Sequence, residues 1–134
     1  MKSLLLRLSI LAMLTFVIST VPAGAENKGY AFVFAYSHKM KAAYHTPVMT
    51  HPVNSKLINE KEYVADIKLI RQMEDAFERH IRTKLQLNTA LFSFTARTGF
   101  KSEAIALGQL ENERTGLRMQ GLDMQLLSDF SLKP

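Results

Sequence analysis

The run Gly29-Tyr30-Ala31-Phe32-Val33-Phe34-Ala35-Tyr36-Ser37 decides the fold. Tyr30, Phe32, Phe34 and Tyr36 share one parity, and Ala31, Val33 and Ala35 share the other. Successive side chains of a strand point to opposite faces, and aromatic and β-branched residues suit a pleated surface. Both faces are apolar, so the run predicts a central, two-sided strand.

Immediately downstream, His38-Lys39-Met40-Lys41 breaks the pattern, and Ala42 to Met49 alternates again as Tyr44, Thr46 and Val48 against Ala43, His45 and Pro47. The two runs predict a hairpin. A turn centred on Met40 sets Tyr36 opposite Tyr44, Phe34 opposite Thr46 and Phe32 opposite Val48, which gathers one aromatic and β-branched face. A centre between Lys39 and Met40 is the alternative, and no Asn-Gly or Asp-Gly turn chooses between them. Pro47 has no N–H for an interior ladder, so it predicts an edge, a bulge or an early strand end. Thr50 to Lys56 reads as a loop.

Asn59, with Glu62 three residues on, predicts a capped helix reaching about Leu85. Tyr63, Ile67, Ile70, Phe77, Ile81 and Leu85 form its apolar stripe, and Asp75–Arg79 and Glu78–Arg82 are favourable pairs on its wet side. Period two returns from Asn88 to Thr98. Ser102 predicts the cap of a second helix over Glu103–Met119, with Ala104, Leu107, Leu110 and Leu117 inward. Gly121 is its stop, and Leu122 to Leu132 holds a last strand candidate. The order β-β-α-β-α-β predicts one α+β (or small α/β) domain over residues 26–134: a mixed or antiparallel sheet with two helices packed on one face.

Upstream, Lys2 and Arg7 accompany the apolar run Leu8 to Ile18, and Ala23-Gly24-Ala25 offers small residues where a signal peptidase reads them. Residues 1–25 are therefore expected to be a signal peptide, with cleavage after Ala23 as the alternative to cleavage after Ala25. This 11-residue stretch is short of the roughly 20 that span a bilayer as a helix. The expected location is exported, periplasmic or secreted, with no stable transmembrane segment after processing. There is no cysteine, which excludes disulfides, thiolate nucleophiles and thiolate metal ligands. The formal charge of +5 includes Lys2 and Arg7, leaving +3 after processing, too little to argue for nucleic acid.

No phosphate-binding loop, zinc-protease motif, calcium loop or nucleophile elbow is present. No metal site and no cofactor are expected. His38, His45 and His51 are too poorly aligned on a hairpin to share an ion, and His80 is expected on the solvent side of its helix. Glu74 and Glu78 lie one helical turn apart, a spacing common among exposed carboxylates, and Arg82 gives Glu78 an ordinary partner; a catalytic pair would need burial. Four residues remain as binding candidates. Lys39 and Lys41 stand at the hairpin turn, within an acid-free segment from Asn27 to Asn59. His45 lies on the second strand, and Arg97 precedes a strand-to-helix loop able to hold an anion. The sequence thus favours an exported binding or interaction module over an enzyme, its partner a protein or a second copy meeting the hairpin or a sheet edge. A small periplasmic or secreted hydrolase and a structural homodimer of the envelope are the alternatives. The leader pattern makes a direct prediction: intact-mass measurement and N-terminal sequencing of the exported protein should find a chain starting at Glu26, or else at Gly24.

Overall fold

The computed structural model describes residues 27–132; residues 1–25, the expected signal peptide, lie outside them. Five strands form one mixed sheet: β1 Asn27–Ser37, β2 Ala42–His45, β3 Met49–Val53, β4 Ser93–Phe100 and β5 Met124–Leu126. Two helices complete the α+β domain, α1 Ile67–His80 and α2 Glu103–Met119. β1 is the central strand that its two apolar faces predict. One side pairs antiparallel with β4, while the other pairs with β2 along its second half and β3 along its first. β5 lies outside β2 and parallel to it.

The helices cover opposite faces of the sheet, which corrects the expectation of a single covered face. Ala31, Val33 and Ala35 pack with Met73, Phe77 and Ile81 of the α1 segment and with Phe92, Ala96 and Phe130. Phe32 and Phe34 pack with Ala106, Leu110 and Leu117 of α2 and with Phe100, Leu122 and Met124. Volume explains the pairing. The small side of β1 admits bulky α1 side chains, and its phenylalanines fill the space above the leaner face of α2, as close packing requires. α2 has the expected boundaries, with the Ser102 hydroxyl accepting from Ile105 N–H at 3.2 Å, and Gly121 adopts φ +84° just beyond it. Its buried stripe is rotated, however: Ala106 joins Leu110 and Leu117 inside, while Ala104 and Leu107 are exposed.

Register is where sequence reading is half right. In β2, Phe34 faces His45 and Tyr36 faces Ala43, so the turn is His38–Lys41 and the alternative centre holds. In β3, Tyr30 faces Thr50 and Ala31 faces Met49, the continuation of the register centred on Met40. One extra residue in Thr46-Pro47-Val48 reconciles the two, as in a β-bulge. Pro47 has no N–H to offer the ladder there. Thr46 serves instead: its N–H donates to Val33 C=O at 2.9 Å, and its hydroxyl oxygen accepts from Val33 N–H at 3.0 Å and donates to Pro47 C=O at 2.9 Å. Thr46 is fully buried.

The expected 50–56 loop is strand as far as Val53, despite Pro52. Val33 directs its N–H and C=O toward Thr46, so alternation turns Gly29 and Ala31 toward β3. Pro52, opposite Lys28, then turns its nitrogen to the outer edge, where no donor is needed. The long helix begins later than Asn59. That side chain accepts from Lys61 and Glu62 N–H at 2.7 and 2.9 Å, closing a turn. The next residues cover β4: Tyr63 N–H donates to Gly99 C=O and Lys101 N–H to Lys61 C=O, each at 2.8 Å. Asp66 is the true cap of α1, its carboxylate accepting from Lys68 and Leu69 N–H. Beyond α1 a π-helical turn, Ile81–Leu85, buries Ile81 but leaves Leu85 exposed, and Gln86 at φ +55° closes it.

Replacing Thr46 with valine keeps the shape but leaves Val33 N–H buried without an acceptor. Urea melts should show a loss of about 1–3 kcal/mol, with Thr46→Ser recovering most of it.

Candidate functional site

The residues singled out from sequence do not converge. Lys39 and Lys41 are exposed at the hairpin tip with Met40, and Lys41 adopts φ +51°. His38 packs edge-on to Tyr36 at 5.5 Å. Arg97 is engaged by Glu113 of α2 at 3.0 Å, a half-exposed pair that ties β4 to the helix above it. Such a pair contributes at most about 1 kcal/mol.

His45 is buried on the α2 face, opposite Phe34, and its Nδ1 lies 2.8 Å from Thr46 C=O. Burial pushes its pKa below the usual imidazole value. The Thr46 carbonyl opposes that shift, nearby Arg114 adds to it, and Glu111 offsets part of it. Arg114 itself has its Nε buried with no hydrogen-bond partner, 3.9 Å from Glu111. His51 points to the other face, because it pairs with Gly29 on the side of Ala31 and Val33. Six residues separate the two histidines, which would share a face of an unbroken strand. The bulge between them reverses the parity. Among the described residues no group of three or more His, Cys, Asp or Glu side chains could hold a metal ion.

Glu78 accepts from Arg82 at 2.8 Å, the helical pair that the spacing predicts, but two glutamates and one histidine also have roles that sequence spacing missed. The Glu74 carboxylate accepts from Ala96 N–H of β4 at 3.1 Å, and Glu78 accepts from the Thr89 hydroxyl at 2.6 Å. His80 is not on the solvent side. It meets Asp129 at 3.2 Å and the ring of Phe130 at 5.3 Å, pinning the C-terminal tail to α1. That partner lies 49 residues away, with no local signal to announce it.

An open pocket of about 530 Å³ lies at the N-terminal end of α1. Its walls include Val53, Tyr63, Val64, Ile67 and Leu69, with His51, Asp66 and Lys68 among the polar groups. Val64 and Ile67 are 48% and 66% exposed, so the rim carries unpartnered apolar surface. His51 and Gly99 also line the pocket, and Gly29 lies beneath the His51 ring. A Cβ on Gly29 would stand 2.5 Å from His51 Cε1, so only glycine lets the imidazole lie across β1. The ring thereby reaches β4, where Nε2 accepts from Gly99 N–H at 3.1 Å. That donor sits at a second bulge: Tyr30 faces Phe100 but Phe32 faces Arg97, and Gly99 adopts φ +79°. Gly29 and Gly99 lie on different strands, and nothing local in the sequence announced the histidine that joins them.

Comparison with protein-family models, with curated proteins and with solved structures finds no match. Among the described residues no helix is long and apolar enough to cross a membrane.

The depressed pKa of His45 sets a pH dependence. Because the folded state disfavours the charged ring, the unfolded chain takes the proton first as pH falls below about 6.5. The stabilising contribution is complete above that value and is lost as pH falls from it toward the lower folded-state pKa. Denaturant midpoints measured between pH 8 and 5 should therefore fall with acidification, and His45→Gln should flatten part of that slope.

Proposed function

We propose that this chain is a small exported binding module whose recognition surface is the pocket at the start of α1, suited to a ligand with an apolar body and one polar group. The observation that carries this reading is the coincidence of a recess of about 530 Å³ with exposed Val64 and Ile67 at its rim. Ligand pockets typically enclose about 300–1,000 Å³, with apolar walls and a few placed polar groups. Export rests on the leader pattern, and a binding role rather than catalysis rests on the absence of any recognised catalytic motif in the sequence.

The hairpin retains one part of its expected role. Its smaller apolar face is covered by α1, and the outer edge of β2 is occupied by β5, so neither is open to a partner or a second copy. The tip remains, with exposed Lys39 and Lys41 flanking a 43% exposed Met40. That arrangement favours long-range attraction of an acidic partner, a second surface separate from the pocket.

Anilinonaphthalene sulfonate, an apolar body with one anionic group, is a suitable probe. In heteronuclear NMR titrations of the folded protein it should move the amide signals of Val53, Val64, Ile67 and Gly99. Ile67→Asp, at a position already exposed, should weaken that binding about tenfold while leaving the melting curve nearly unchanged. Shifts centred on the hairpin tip, or no saturable binding, would overturn the pocket reading.

A further inference from the structure

We propose that His51 is an acid-sensitive latch of the pocket floor, locked in its neutral Nδ1–H form and released from Gly99 when it takes up a proton. This rests on the reading of the pocket as a binding site and adds its regulation.

The hydrogen bonds fix the protonation state. Gly99 N–H can only donate, so Nε2, 3.1 Å away, must present a lone pair. Nδ1 lies 3.1 Å from Pro52 C=O, which can only accept, so Nδ1 must carry the hydrogen. One tautomer of the neutral ring satisfies both contacts. Protonating Nε2 would set two N–H groups against each other inside a side chain that is 8% exposed. The bond to Gly99 must then break.

The surroundings show what moves. The ring is laid across Gly29 of β1, beside Val53 of its own strand, so it joins three strands through one side chain. β1 and β4 present Gly29, Thr98 and Gly99 here, none of them charged, and Lys28 lies on the opposite face of β1. The titratable and charged groups lining the same pocket are Tyr63 and Asp66 from the connecting loop and Lys68 from α1. The Asp66 carboxylate is held by the amides of Lys68 and Leu69 at the helix start. A cationic His51 would be attracted to Asp66 and repelled by Lys68, the charged side chains that line the same pocket. The loss reaches the pocket wall through Gly99, whose N–H is freed by His51 and whose C=O accepts from Tyr63 N–H at 2.8 Å. Tyr63 and Val64 are pocket wall, so the latch and the binding surface share one hinge.

The test reads the two ends of the bond separately. In the full folded chain at neutral pH, nitrogen chemical shifts should report the Nδ1–H tautomer for His51. On acidification the Gly99 amide shift should follow the His51 titration, and its protection against hydrogen exchange should fall about tenfold, the ratio set by one hydrogen bond of ordinary net strength. His51→Gln places a carbonyl oxygen near the position of Nε2 and cannot titrate in this range. It should keep Gly99 protected and remove the pH dependence, with His45→Gln as the control that leaves that dependence intact. Affinity for anilinonaphthalene sulfonate should fall in parallel in the unaltered chain. An Nε2–H tautomer, a Gly99 signal indifferent to His51, an unchanged pH profile in His51→Gln, or dye affinity independent of the latch would each overturn the proposal. If Gly99 is released on cue but the dye binds at no pH, the binding reading fails while the latch stands.

Discussion

Val33 is the point on which the rest of the sheet is hung. It lies at the middle of the central strand, fully buried, and its N–H is satisfied by the hydroxyl of Thr46 rather than by another backbone group. An unpaired buried amide would cost a large fraction of the stability of so small a domain. The proline that follows Thr46 removes one ladder donor, and the extra residue carried with it shifts the register of β3 against β2. The consequence reaches across the molecule, since His45 is sent toward α2 and His51 toward α1.

Side chains take over from backbone groups at each irregular place along β1 and β4. Thr46 does so at one bulge and His51 at the other, while Glu74 reaches from α1 to cap Ala96 N–H on the outer side of β4. These substitutions let a short chain without disulfides bend its sheet and still satisfy the groups it buries. They differ in chemistry. A hydroxyl serves at any ordinary pH, whereas an imidazole serves only while neutral. The imidazole is the substitute placed at the pocket.

Two surfaces divide the remaining functional potential, at different ends of the sheet. The hairpin tip offers charge with little shape, and the start of α1 offers shape with exposed apolar rim. Shape complementarity and burial supply most binding energy, while exposed charge chiefly speeds and orients encounter. That asymmetry is why the pocket, rather than the acid-free hairpin, carries the functional reading.

Sequence alone determined the elements whose causes are local. The period-two aromatic run made β1 a two-sided strand, and Ser102 and Gly121 bounded α2. The apolar stripe marked the buried face of the α1 segment at Phe77 and Ile81, though Ile67 and Leu85 are exposed. Tertiary structure decided which helix covers which face, because the choice depends on matching volumes across two layers. It also decided where α1 begins: residues 61–63 gain more by pairing with β4 than by adding helical turns after Asn59. The candidate site was the least legible part. Gly29, His51 and Gly99 are remote from one another along the chain, and their joining depends on two bulges that no local propensity announces. His80 and Asp129 met for the same reason. A side chain's neighbours across a sheet are fixed by register, and register here turns on one buried hydroxyl and one missing amide proton.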